Sequence, residues 1–80
     1  MRKSIHTVER RLLGSILREQ REQSGLMQEE MAERIGRAQS YVSDYETGQK
    51  RLELPELSDI SSALGMSLVQ LVKRYEQIPR

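Results

Sequence analysis

The 80-residue sequence contains no cysteine, which excludes a disulfide framework and a thiolate metal site and leaves apolar packing to stabilise the fold. Its single histidine, His6, has no second histidine with which to form a zinc site or an acid–base pair. No run of about eighteen apolar residues occurs, and no apolar stretch follows Arg2 and Lys3 as it would in a signal peptide. We therefore expect a soluble cytoplasmic protein that is not an enzyme and needs no metal, cofactor or membrane.

Strand-forming patterns are scarce as well. The chain has five glycines and two prolines, and Leu, Glu, Gln, Arg and Ile dominate while Val, Thr and aromatic residues rarely alternate. At this length folding buries only about 60–65% of the surface of the unfolded chain, so we expect one compact domain over residues 1–80. The composition thus predicts an all-α bundle with no room for a separate dimerisation or ligand-binding domain.

The charge distribution does not decide the partner. The net charge is only +1, and positive residues outnumber negative ones mainly before residue 22. Between Leu26 and Thr47 the basic residues are Arg34 and Arg37 alone. The acidic residues of that segment are Glu29, Glu30, Glu33, Asp44 and Glu46. A nucleic-acid partner therefore has to be argued from the pattern of residues and not from overall basicity.

Capping and terminating residues divide the chain into five predicted helices. Thr7 is expected to cap the first helix, Pro55 lies in the first turn of the fourth, and Ser67 is expected to cap the fifth. Glycines follow the first four helices, at Gly25, Gly36, Gly48 and Gly65. The predicted helices cover about residues 7–24, 28–35, 39–47, 54–64 and 67–77, after an N-terminal arm at residues 1–7.

Apolar residues at helical spacing predict the face that each helix buries. The third helix also has a polar stripe, which is either an ordinary solvated face or a surface for a partner. That polar stripe consists of Ser40, Ser43, Asp44 and Thr47. The apolar stripes are Leu13, Ile16 and Leu17; Met31, Ala32 and Ile35; Ala38, Tyr41, Val42 and Tyr45; Leu54, Leu57, Ile60 and Leu64; and Leu68, Leu71, Val72 and Tyr75.

Residues of the second and third helices predict a helix-turn-helix over about residues 27–47. Two short helices joined by a tight turn cross steeply and need a small residue where they meet, which is Ala32. Gly36 supplies the positive φ angle of the turn. Val42 and Tyr45 are expected to pack the third helix against the second.

These residues stand in a longer pattern that resembles the Cro/phage-repressor (XRE-like) helix-turn-helix family. The pattern runs from Leu13 to about Leu71 and rests on the joint order and spacing of its fragments. The resemblance implies a compact five-helix, lambda-repressor-like domain whose third helix enters the major groove of double-stranded DNA. The fragments are Leu13-Gly14-x-Ile16-Leu17, Arg21-x-x-x-Gly25-Leu26, Gln28-Glu29-Glu30-Met31-Ala32-Glu33-Arg34-Ile35-Gly36, Gln39-Ser40-Tyr41-Val42-Ser43-x-Tyr45-Glu46-x-Gly48 and Ala63-Leu64-Gly65.

The resemblance also implies roles for individual residues. Gln28 matches a glutamine that binds phosphate at a helix N-terminus, and Arg21 and Glu46 match a partly buried salt bridge of some members. We expect the hydroxyl of Tyr41, in addition, to contact a phosphate. The positions that contact base edges are Gln39, Ser40, Ser43 and Asp44. The remaining positions that contact phosphates are Arg37, Lys50 and Arg51.

Two residues depart from the family pattern. Met27 stands where a capping Thr or Ser is usual and has no side-chain oxygen with which to cap the second helix. Asp44 places a negative charge on a face that would meet an anion. A carboxylate there can accept a hydrogen bond from a cytosine amino group, which discriminates bases by about 1–3 kcal/mol but weakens nonspecific binding.

Two functions remain open at this stage. The first is a sequence-specific transcriptional regulator, expected to be a repressor, that binds a pseudo-palindromic operator as a homodimer. Its dimer surface is expected on the stripe formed by Leu68, Leu71, Val72 and Tyr75, or at the corner between the fourth and fifth helices. The second is a protein-interaction module, such as an antitoxin-like or adaptor subunit, because the acidic helix-turn-helix segment suits a protein partner better than it suits DNA.

Overall fold

Residues 6–79 are described by a computed structural model, and in this part of the chain all regular structure is helical. The order is α1 (Thr7–Gln23), α2 (Gln28–Ile35), α3 (Gln39–Glu46), α4 (Leu54–Ala63) and α5 (Leu68–Glu76). The all-α, five-helix prediction is thereby confirmed. Of the arm expected at residues 1–7, only the last two residues lie within the described part. No helix in that part is long and apolar enough to cross a membrane.

The helix starts agree with the predictions in one case and differ in another. The hydroxyl of Ser67 accepts a hydrogen bond from the backbone N–H of Gln70, whose side chain accepts one from the backbone of Ser67 in return. The prediction that Thr7 caps α1 is wrong, because the helix begins one residue earlier than expected. His6 holds the cap position, so Thr7 lies inside the first turn.

The five helices enclose one apolar core. α1 packs against α3 and α5, α2 packs against α3 and α4, and α4 packs against α5. Leu17, Met31 and Val42 are fully buried, and Tyr45 is only 2% exposed. The rest of the buried apolar core is Ile16, Ala32, Ile60, Leu64, Met66 and Leu71.

Three residues of the predicted apolar stripes lie elsewhere than expected. Ala38 is exposed because it caps α3 with an extended backbone and so precedes the helical face. Leu54 is 63% exposed because it begins α4 beyond the end of the core. Leu71, expected in the apolar stripe of α5 and at a dimer surface, is 1% exposed, so within the single chain it belongs to the core.

A close contact between α1 and α3 depends on Gly14. This residue is buried, and a Cβ atom built there would overlap the carbonyl oxygen of Tyr45 and lie 2.5 Å from that of Glu46. Only glycine lets the backbone of α1 lie against the C-terminal end of α3. Arg21 lies about two helical turns after Gly14 on α1, and this contact brings it to the same side of the core as Glu46.

Candidate nucleic-acid interface

The turn between α2 and α3 has the geometry of a helix-turn-helix. Gly36 adopts the left-handed conformation with φ at 66° and ends α2. The N–H of Arg37 then donates to the carbonyl of Ala32 at 2.9 Å, which closes the turn as in a Schellman motif. Ala32 and Val42 are both buried where the two helices meet. Three residues, 36–38, therefore suffice to redirect the chain.

α2 begins at Gln28 without a capping side chain at Met27. The carboxylate of Glu30 instead accepts a hydrogen bond from the backbone N–H of Met27 at 2.8 Å. This is the second half of a capping box, in which an acidic residue reaches back to the start of its own helix. Its negative charge also suits the positive end of the helix dipole. The missing cap is thus partly replaced from within α2.

The outward face of α3 is polar. Gln39, Ser40 and Asp44 are exposed, and Ser43 is half-buried beside them. Their spacing places these four side chains on one side of the helix, opposite the buried Val42. The structure therefore brings together the four residues expected to contact bases. Thr47 follows them, and its hydroxyl donates to the carbonyl of Ser43 at 3.0 Å.

A buried ion pair lies between α1 and the C-terminal end of the helix that carries this polar face. Two nitrogens of Arg21, Nε and Nη2, donate to the carboxylate of Glu46 at 2.7 and 3.1 Å, and the side chains are only 9% and 1% exposed. The third, Nη1, donates to the carbonyl of Leu26 at 2.7 Å. The hydrogen bond with Glu46 raises the pKa of Arg21. The pair joins α1 to the C-terminal end of α3.

Glutamine side chains extend this network to the surface. Nε2 of Gln28 donates to the carboxylate of Glu46 at 3.0 Å, and Oε1 of Gln28 accepts a hydrogen bond from Gln39 at 3.4 Å. A carboxamide has two N–H groups, so Gln28 can keep Glu46 while the other N–H donates to a phosphate. A continuous set of hydrogen bonds thus connects the buried Arg21 with the exposed Gln39.

Basic side chains lie before and after α3. Arg37 belongs to the preceding turn, and Lys50 and Arg51 belong to the loop that follows. The cationic groups of Arg37 and Lys50 lie 4.9 and 5.0 Å from the centroid of the Tyr41 ring. Arg51 is exposed. The loop is held at its start by Arg10 of α1, whose Nε donates to the carbonyl of Gly48 at 3.2 Å.

The Tyr41 hydroxyl, which was expected to contact a phosphate, has a partner inside the protein. It donates to the carboxylate of Glu56 in α4 at 2.6 Å. Burial, followed by this hydrogen bond, raises the pKa of Tyr41 to about 12. The same hydrogen bond lowers the pKa of Glu56. Glu56 was not among the residues predicted for this site, because its only local signal is that of an acidic residue three positions after Glu53, in the first turn of a helix.

The solved and curated relatives of this chain include regulators. A family model described as a helix-turn-helix domain matches residues 12–74. An uncharacterised HTH-type transcriptional regulator from Sinorhizobium fredii is 37% identical over 70 residues, which cover 88% of this chain and 91% of that protein. The chain belongs to the XRE-like helix-turn-helix family of DNA-binding regulators.

Solved members of the family share the whole arrangement of helices. An XRE-family like protein from Pseudomonas syringae aligns with a TM-score of 0.80 and 35% identity, covering 90% of this chain and 88% of its own. The restriction-modification controller protein C.AhdI from Aeromonas hydrophila aligns with a TM-score of 0.78 and 32% identity, covering 85% and 99%. An epoxidase from S. wedmorenis also aligns, at 27% identity and TM-score 0.72, but over only 33% of that enzyme.

Proposed function

We propose that this chain is a sequence-specific transcriptional regulator that inserts α3 into the major groove of operator DNA. The observation that supports this most strongly is the outward polar face of α3, formed by Gln39, Ser40, Ser43 and Asp44. Amide, hydroxyl and carboxylate groups are the side chains that hydrogen-bond to base edges. The phosphates on both sides of the groove are contacted by three cations beside α3, which are Arg37, Lys50 and Arg51.

Gln28 has two roles, a contact with a phosphate and a contact with Gln39. Its position at the N-terminus of α2 suits a phosphate, because the backbone N–H groups and the helix dipole favour an anion there. Gln28 also accepts a hydrogen bond from the amide of Gln39 at 3.4 Å, which links the phosphate-binding residue to a base-reading one. Asp44 restricts the operator, because a carboxylate in the groove is repelled by phosphates unless it accepts a hydrogen bond from a cytosine amino group.

We further propose that the chain binds as a homodimer and acts as a repressor in the cytoplasm. An apolar groove between α4 and α5, of about 170 Å³, supports a dimer. Leu54 and Val72 at its rim are 63% and 48% exposed, so they join the groove into one contiguous apolar patch. Leu68 and Tyr75 contribute to the walls, and Leu71 forms the floor. To bind two half-sites one turn of DNA apart, the dimer has to present its two α3 helices about 34 Å apart.

A protein-interaction module is the second candidate, and one observation favours it. Glu29, Glu30 and Glu33 are exposed on α2, so the surface beside α3 is acidic. The two functions differ in whether a duplex is bound. A regulator that contacts phosphates enriches a duplex, and each phosphate contact lowers log K by roughly 0.9 per tenfold rise in salt, whereas a module that binds only a protein enriches none.

The experiment that tests the proposal is the selection of bound duplexes from a random library, followed by affinity measurements with variants. Gln39→Ala is expected to weaken binding to the selected site and to relax the preference at one base pair, by about 1–3 kcal/mol. Asp44→Ala is expected to relax the preference at another. Glu29→Ala is the matched control, since it removes the same charge as Asp44→Ala from a surface outside α3, and it should leave the sequence preference unchanged. Failure to enrich any duplex at low salt would refute the proposal.

A further inference from the structure

The ring of Tyr41 lies next to two cations that the chain provides from either side of α3. Arg37 precedes the helix and Lys50 follows it, and their charged groups are 4.9 and 5.0 Å from the ring centroid. An aromatic ring attracts a cation within about 6 Å of its centroid. One side chain of α3 therefore restrains two long, flexible side chains from two different loops.

The ring itself is held in place by other contacts. Its edge-to-face contact with the buried Tyr45 has a centroid distance of 5.8 Å and an interplanar angle of 83°. Its hydroxyl donates to Oε2 of Glu56 at 2.6 Å. Oε1 of Glu56 accepts the backbone N–H of Glu53 at 3.0 Å, at the start of α4. Glu56 thus fixes both the ring of Tyr41 and the end of the loop that contains Lys50.

We propose that Tyr41 is a positioning residue, which orders Arg37 and Lys50 for the DNA phosphates, while Glu56 fixes its ring. This inference rests on the proposed function and replaces a direct contact between the Tyr41 hydroxyl and a phosphate. A long cationic side chain loses rotamer freedom when it binds, so ordering it in advance improves affinity. Because phosphates are common to every sequence, the effect is equal for all duplexes.

A double-mutant cycle on DNA affinity tests this role. Tyr41→Leu removes the ring and is expected to weaken binding about 4- to 25-fold, from about two- to fivefold for each of the two cations. In an Arg37→Gln/Lys50→Gln background the same substitution should weaken binding less than about twofold, because no cation is left to order. Tyr41→Phe keeps the ring and should stay within about threefold of wild type. Lys73→Gln, which removes an exposed cation from α5, is the control.

Three results would overturn the proposal. Equal losses from Tyr41→Leu in both backgrounds would mean that Tyr41 contacts DNA directly or only supports the helix. A loss with Tyr41→Phe as large as with Tyr41→Leu would assign the effect to the hydroxyl. A gain in affinity with Tyr41→Leu would mean that the ring competes with phosphate for the cations. Thermal unfolding of each variant shows whether it is folded.

A measurement without DNA separates this inference from the proposed function. Protons of the Lys50 and Arg37 side chains that lie over an aromatic ring shift upfield in the NMR spectrum. The shift is expected in the wild type and in Tyr41→Phe and should disappear in Tyr41→Leu. Random-coil values in the wild type would refute the stacking itself. If the shifts are present but the wild type binds no duplex, the proposed function fails instead.

Discussion

Replacing Glu46 by Ala tests the buried ion pair that connects α1 to α3. The substitution leaves the guanidinium of Arg21, whose side chain is 9% exposed, without its counter-charge, and leaves an N–H of Gln28 without its acceptor. Stranding a buried charge costs about 3–5 kcal/mol. A domain of this size is stable by only about 4–12 kcal/mol, so the variant should lose about a quarter of its stability or more.

Urea unfolding followed by circular dichroism measures this loss as a lower midpoint at an unchanged slope. The melting temperature should fall by at least about 12 °C. Glu22→Ala is the matched control, because Glu22 pairs with Arg18 on the surface of α1, with side chains 61% and 55% exposed, and such pairs contribute less than about 1 kcal/mol. Arg21→Met/Glu46→Leu, which removes both charges, should recover much of the loss. If Glu46→Ala lowers the free energy of unfolding no more than Glu22→Ala does, the buried pair does not stabilise the fold in this way.

Three further predictions concern the core, the pH dependence and the oligomer. Gly14→Ala should destabilise the fold by about 1–3 kcal/mol in urea unfolding although alanine favours helix, whereas its exposed neighbour Ser15→Ala should change little. The pKa of Glu56 is lowered in the folded state, so its contribution to stability is present above the unfolded pKa and disappears as the pH falls through the folded pKa. The free energy of unfolding, measured in urea over a range of acidic pH, should therefore fall less steeply with decreasing pH in Glu56→Gln. Val72→Glu should shift sedimentation equilibrium from dimer to monomer, and an unchanged dimer would exclude the groove between α4 and α5.

Local signals predicted the helices well. Each of the first four helices is followed within two residues by a glycine with positive φ, and that requirement is visible in the sequence because few other residues adopt the conformation. The capping box at Ser67 is likewise complete within four residues. Thr7 shows the limit of such signals. Its side chain is suitable for a cap, but α1 begins at Thr7 itself, so the cap position falls on His6.

Contacts between distant residues were predicted only where a family pattern pointed to them. The Arg21–Glu46 pair spans 25 positions and was expected from the resemblance alone. The bond between Tyr41 and Glu56 spans 15 positions and depends on how the intervening loop folds back, which no periodicity encodes. No pattern in the sequence points to the contact of Arg74, which donates to Glu19 at 2.6 Å and connects α5 to α1 across 55 positions.

Exposure was also hard to predict at the ends of helices. Leu54 belongs to the apolar spacing of α4 but lies past the end of the core, where it is 63% exposed. Leu71 and Val72 are neighbours on α5, and one is 1% exposed while the other is 48% exposed. The helical spacing of apolar residues predicts the direction in which each side chain points, but it does not predict whether a neighbouring helix covers that side chain.

The most direct test of DNA binding through α3 is the affinity of the chain for duplexes selected from a random library, measured over a range of salt concentrations. Enrichment of a pseudo-palindrome is predicted, with half-sites about 34 Å apart. Log K should fall linearly with log salt, with a slope of roughly 0.9 for each phosphate contacted. No enrichment at low salt would contradict DNA binding through α3 and favour a protein partner for the acidic surface of α2, whereas a duplex affinity independent of salt would contradict the proposed phosphate contacts.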